Sequence, residues 1–169
     1  LGTALEEGLV QDAAIAESIA QRTAFWHLRE AMSEAQRPEG GSIKHDISVP
    51  VAAIPDFIEA AGRAVDRVCP GARVVCFGHM GDGNLHYNVS QPVGWETADF
   101  LALYPSMNEA VHALVREAQG SISAEHGIGT MKRDELERTA PAVGLDLMRR
   151  IKRAFDPAGI MNPGKVIRM

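Results

Sequence analysis

Aromatic residues are scarce in this chain, at 5% of 169 positions, and cysteine is scarcer still, with two. Cys69 and Cys76 cannot build a disulfide framework and lack the spacing of a Cys-x-x-Cys redox pair. Basic excess is missing too: 17 Lys and Arg stand against 22 Asp and Glu, for a net charge of −5. That balance gives no support to a nucleic-acid partner, which usually demands a clustered basic surface. No apolar run approaches the ~18–20 residues a membrane span needs, and no basic segment followed by an apolar one resembles a signal peptide. A reducing, cytoplasmic compartment is the expectation. The opening Leu1 is read as a sign that the gene product starts upstream. Repeats, low-complexity segments and linkers are also lacking.

What is present suits a globular protein, 46% hydrophobic and 23% charged. It is enough for one domain with a real core and too little for two of ordinary size. Three- and four-residue steps of Phe25, Leu28, Met32 and Ala35 predict a helix over about Ala14 to Gln36. Ser42 to Val51 has strand character, broken by Pro50. Ile54, Phe57, Ile58, Ala61, Val65 and Val68 share one side of a helix from Pro55 to Val68, with Pro55 at a favoured first position. Short strands follow at Arg73 to His79 and Asn84 to Ser90. A helix over Ala98 to Gln119, a short strand over Ser121 to Ala124 and a last helix around Leu145 to Phe155 complete the reading. The expected fold class is α+β, one domain over residues 1–169, with an antiparallel sheet and helices packed on one side.

The segment Gly78-His79-Met80-Gly81-Asp82-Gly83-Asn84-Leu85-His86-Tyr87-Asn88 carries the most chemistry. Asp-Gly between strand-like runs signals a two-residue hairpin loop. With Asp82 and Gly83 as the loop, counting places His79 opposite His86. Opposed residues have Cβ atoms about 4.5–5.5 Å apart, close enough for two imidazoles to share a metal ion. Alternation puts Leu85, Tyr87 and Val89 on the core side and Asn84, His86, Asn88 and Ser90 on the other. A pair of sheet histidines with no metal fits the same pattern, so both readings stand on the hairpin alone.

A catalytic metal commonly takes three protein ligands, and Glu125 in Ser123-Ala124-Glu125-His126-Gly127-Ile128-Gly129 is the candidate for the third. His126 beside it could act as a general base, since imidazole titrates near neutrality. An ordinary exposed Glu-His turn is the alternative. Arg29 and Ser33, four apart on one helix, project from one face, and with Lys44 they could surround a carboxylate. Equally, Arg29 could pair with Glu30 or Glu34, and Lys44 with Asp46.

Five segments occur together in order: Phe25-Trp26-His27-Leu28-Arg29-Glu30, Lys44-His45-Asp46-Ile47-Ser48-Val49-Pro50, the His79 to Asn88 hairpin, Ser123 to Gly129, and Asn162-Pro163-Gly164-Lys165-Val166. The set resembles the C-terminal domain of FAD-linked oxidases of the vanillyl-alcohol-oxidase type, including the dehydrogenases and oxidases of 2-hydroxy acids such as D-2-hydroxyglutarate, D-lactate and glycolate. The resemblance implies a divalent metal, most often zinc, on His79, His86 and Glu125. It implies a substrate carboxylate on Arg29, Ser33 and Lys44, a substrate contact from Asn88, and His126 as the base. A hydride would pass from C2 of the hydroxy acid to FAD, against which the Asn162 segment would lie.

Two departures accompany it. The phosphate-binding loop of the family's FAD domain has no counterpart, and the strand-helix-strand unit that normally opens the cap domain is missing before Leu1. The chain is therefore expected to be part of a ferredoxin-like cap domain, inactive in isolation. Its expected partners are a small 2-hydroxy acid, an FAD-binding domain of the same full-length protein, an electron acceptor that could hold it at a membrane surface, and a second copy in a homodimer. A flavin-independent metal hydrolase and a non-catalytic interaction module are the competing readings.

Overall fold

A computed structural model of the chain describes the backbone of residues 1–169 and every side chain except that of Ser33. The chain divides into two compact units, Leu1–Gly40 and Gly41–Met169.

The first unit holds helices α1 (Gly2–Glu6) and α2 (Ile19–Glu30). Ser18 starts α2 with a capping box: its hydroxyl accepts from the Gln21 amide while the Gln21 side chain reaches back. The helix is shorter than the expected Ala14 to Gln36, because this cap lies at Ser18 and the coil tightens to a 3₁₀ turn at Ala31–Ser33. Its apolar positions are exposed, Leu28 at 70% and Trp26 at 53%.

The second unit is built on a three-stranded antiparallel sheet in the order β1-β3-β2, with β1 Ser42–Ser48, β2 Arg73–Phe77 and β3 Asn84–Ser90. Ile43, His45 and Ile47 pair across to Val89, Tyr87 and Leu85 and are buried on one face. On that face lie α3 (Ile54–Val68) and α5 (Tyr104–Glu117), packed on each other. From α3 come Ile54, Phe57, Ala61 and Val65, and from α5 Met107, Val111 and Val115, all at helical spacing. Each of the larger side chains, once fully buried, contributes roughly 1.5–3 kcal/mol, so these rows hold the sheet to its helices. The α+β class with helices on one face of an antiparallel sheet is what is observed.

The expected helix over Ala98 to Gln119 is two: α4 (Thr97–Leu101) and α5. Pro105 is the reason, since its ring would strike the Leu101 carbonyl in a continuous helix; it sits instead in the first turn of α5. The strand expected at Ser121 to Ala124 is reduced to one bridge, Ser48 to Ser121. Helix α6 (Arg133–Thr139) was not expected, and α7 runs Ala142–Phe155, three residues longer at its start than Leu145. Both thiols are unpaired, and burial pushes the Cys76 thiol up to about 11, as suits an inert strand residue. Among the described residues no helix is long and apolar enough to cross a membrane.

Candidate functional site

On the other face of the sheet the β1–β3 ladder is polar, while β2 places Val75 beside Asn88 and Phe77 beside His86. Lys44 stands opposite Asn88, Asp46 opposite His86, and Ser48 opposite Asn84 along the β1–β3 ladder. The hairpin register differs from the expected one. β2 pairs with β3 only as far as Phe77, which faces His86, so the two histidines are not opposed. Gly78, at φ +151, takes the chain out of the ladder, and Met80–Asp82 form a 3₁₀ turn that ends at Gly83 with φ +76. The loop is thus wider than two residues, and it is tied to the exit of β1 by the Val49 amide donating to the Gly83 carbonyl at 3.0 Å. The offset is two residues, an even number, so the expected faces of β3 survive it.

Glu125 gathers the histidines. Its Oε1 lies 3.9 Å from His79 Nδ1 and its Oε2 lies 3.7 Å from His86 Nε2. Asn84 Nδ2 donates to Oε1 at 2.5 Å, which orients the carboxylate. Ligand atoms on a tetrahedral zinc with bonds of about 2.0–2.1 Å lie about 3.3 Å apart, roughly half an ångström closer than these. His79 and Glu125 are about half exposed, at 53% and 44%, so neither side chain is locked by packing. Two imidazole nitrogens and a carboxylate are a donor set that suits zinc and other borderline divalent ions.

Among the described residues, the group that brings one donor atom from each of three side chains within 4.8 Å of the others is a different one, Asp46, His86 and His126. Asp46 is the weak member, because its carboxylate is already used. Oδ2 accepts from Ser123 Oγ at 3.1 Å and from the amides of Ala124, Glu125 and His126 at 3.2, 3.1 and 2.8 Å. Burial alone would push Asp46 up, but the amides of His126 and Glu125, the charge of His126 and the Ser123 hydroxyl hold it below the ordinary carboxylate value. Lys132 joins the frame by donating Nζ to the carbonyls of Asp46 at 3.3 Å and Ile122 at 2.6 Å. Burial lowers the Lys132 ammonium, against the opposing pull of Asp46 and Glu135.

His126 projects from this turn with its side chain 65% exposed and its ring 5.7 Å from that of His86. Of the expected substrate contacts, Lys44 and Asn88 meet as cross-strand neighbours. Asp46, one candidate partner for Lys44, is engaged by the turn instead. Arg29 belongs to the first unit, where its guanidinium lies 5.3 Å from the Trp26 ring centroid. The side chain of Ser33 lies outside the described residues. Asn162, at φ +48, opens a turn closed by the Lys165 amide donating to its carbonyl at 3.2 Å. Arg133 Nη1 donates to the Gly164 carbonyl at 2.7 Å. Val166 donates its amide to the Gly129 carbonyl at 2.8 Å, which joins this segment to the loop of Glu125 and His126.

The family model for FAD linked oxidases, C-terminal domain, matches residues 1–166. The chain belongs to that family. Among its curated relatives is a D-2-hydroxyglutarate dehydrogenase of Stutzerimonas stutzeri (strain A1501), 40% identical over 162 residues that cover 96% of this chain and 35% of that protein. The mitochondrial D-2-hydroxyglutarate dehydrogenase of Arabidopsis thaliana is 40% identical over 164 residues, covering 96% of this chain and 28% of its own. That of Rattus norvegicus is 37% identical over 169 residues, with 96% and 29% covered. The chain thus spans about a third of the length of the relatives it matches.

In this FAD-linked oxidase C-terminal domain, Asn84 and Asp46 have roles that spacing does not reveal: Asn84 orients Glu125, and Asp46 holds the turn of Glu125 and His126. The signal for Asp46 in the sequence is its alternation with Lys44 in β1.

Proposed function

We propose that this chain is the substrate- and metal-binding part of an FAD-dependent dehydrogenase or oxidase that converts a D-2-hydroxy acid to the 2-keto acid. The observation that carries the reading is the Glu125 carboxylate with a histidine nitrogen near each oxygen, His79 at 3.9 Å and His86 at 3.7 Å. Residues 1–169 form one cap-type domain in this reading, and the FAD-binding domain belongs to the remainder of a longer protein.

Each residue then has a task. His79, His86 and Glu125 hold a divalent ion, with zinc the first choice for this donor set. Once bound, the ion would supply a Lewis acid for the 2-hydroxyl, and FAD would supply the hydride acceptor. His126 takes the hydroxyl proton on a ring nitrogen; its exposure leaves the imidazole accessible to a substrate. Lys44 offers an ammonium to the substrate carboxylate, and Arg29 has the guanidinium that could bind a carboxylate bidentately. Asn88 supplies a hydrogen bond from the sheet. The turn at Asn162 contributes to the flavin side.

The flavin-independent hydrolase loses its ground with membership of an FAD-linked family. D-2-Hydroxyglutarate is the substrate favoured by the relatives' names, with lactate and glycolate as the comparison substrates. Elemental analysis of the purified chain tests the metal. About one zinc per chain is expected, with loss in His86→Ala and Glu125→Ala; a folded chain that takes up none sinks this reading. In the full-length flavoprotein, His126→Ala should lower kcat by about 10²–10⁴-fold if the ring moves the proton.

A further inference from the structure

Asp46 is 3% exposed in β1, directly across from His86, and its carboxylate faces the turn of residues 123 to 126. The chain reaches that turn through the bridge in which Ser48 and Ser121 exchange backbone bonds at 2.9 and 2.8 Å. From there, residues 124 to 126 present three successive backbone amides to the Asp46 carboxylate, and Ser123 adds its hydroxyl. Successive N–H groups on one side of a turn make a concavity for an anion. Here the anion is an internal side chain, fixed by a strand and clamped by Lys132 from the carbonyl side.

We propose that Asp46 is the positioning residue of the site: by binding the amides of Ala124, Glu125 and His126, it sets where the Glu125 carboxylate and the His126 ring emerge. The assignment rests on the functional reading above for what Glu125 and His126 do, and on the hydrogen bonds for how they are held. Asp46 acts through the turn, and its Oδ2 also lies 3.8 Å from His126 Nδ1, where it can orient the ring. A neutral amide in its place keeps the size but gives up charge-assisted bonds, which are roughly twice as strong as neutral ones. Outer partners of metal ligands are commonly worth 10–100-fold in metal affinity.

Amide hydrogen exchange and zinc titration of the 169-residue chain test the proposal together. In the wild type, the amides of Ala124, Glu125 and His126 should exchange at least about tenfold slower than in an unstructured peptide, because the carboxylate binds them. Free-peptide rates there overturn the proposal with no variant needed. In Asp46→Asn, those amides should exchange faster while the amides of α3 and α5 keep their protection, and zinc affinity should fall about 10–100-fold. Rates and affinity unchanged from the wild type overturn it. A fall in zinc affinity with unchanged exchange also overturns it, since Asp46 would then be acting as a ligand. Failure of the wild-type chain to bind zinc removes the metal reading alone, and the exchange data still decide the role of Asp46.

Discussion

Val166 donates its amide to the Gly129 carbonyl at 2.8 Å while holding a left-handed backbone at φ +66. A β-branched residue rarely adopts that conformation, and the cost is of order 1–3 kcal/mol. The strain sits where the Asn162 turn is tied to the loop that carries Glu125 and His126.

Replacement of Val166 by glycine should therefore cost little. Glycine accepts the left-handed backbone, and its extra chain entropy of roughly 0.5–1 kcal/mol offsets part of the strain released. Chemical denaturation should show a change between zero and about 1 kcal/mol of stabilisation. A loss above about 1 kcal/mol would mean that the valine side chain outweighs its backbone strain.

Gly83→Ala should go the other way. The residue is left-handed at φ +76, and a Cβ there would lie 2.2 Å from the Val49 carbonyl oxygen. Either the loop gives up its tie to β1 or the backbone moves, so a destabilisation of at least about 1–2 kcal/mol is expected. A melting temperature equal to the wild type would show that the loop is looser than its hydrogen bonds indicate.

The pH dependence of stability should carry the mark of His45. Burial lowers its pKa from an ordinary 6.5 to about 4, partly offset by its bond to the Tyr87 carbonyl and reinforced by the neighbouring His112. His45 Nδ1 and the Tyr87 oxygen are 2.8 Å apart, so the neutral ring donates there, and the Asn108 side chain gives the charged ring a little further support. Between pH 6.5 and about 4 the unfolded chain binds a proton that the folded chain refuses. Stability is therefore complete above 6.5 and falls as pH drops through that window, by at most about 1.4 kcal/mol per pH unit from this group. Urea titrations of metal-free wild type and His45→Gln at pH 7 and 5 check this; equal acid losses in the two would refute the assignment.

Asn84→Ala should weaken zinc binding about tenfold, because the amide that orients Glu125 Oε1 is gone. Calorimetric titration reads this directly. An unchanged affinity would assign Asn84 to loop structure alone.

Period-two and period-3.6 patterns carried much of the fold. β3 runs Asn84–Ser90 as expected, and α3 matches to one residue, since both elements have one buried face whose spacing is written in side chains. Helix α6 was invisible by the same rule: Arg133–Thr139 buries no residue, and its Asp134, Glu135 and Glu137 are spent on pairing with Arg168, His112 and Arg116. His79, His86 and Glu125 were legible as residue types, but their meeting was derived from a hairpin register that does not form. Asp-Gly closes a tight hairpin and a 3₁₀ turn alike, and the choice lay with the Gly78 backbone and the Val49 bond. Asp46 was hidden for another reason. Its partners are amides 78 to 80 positions away, and a backbone N–H leaves no trace in residue identity.

The alternation in β1 has a consequence for how such a protein can diverge. Lys44 and Asp46 look to the polar face while His45, between them, is buried against His112 and Tyr87. Substitutions at any one of the three can be absorbed or selected singly. Loss or gain of one residue within the strand cannot, because it would send the two polar residues into the helices and the buried ring into solvent. Length drift in relatives should collect in the stretches before Ser42 and after Pro50, with β1 inherited as an indivisible word.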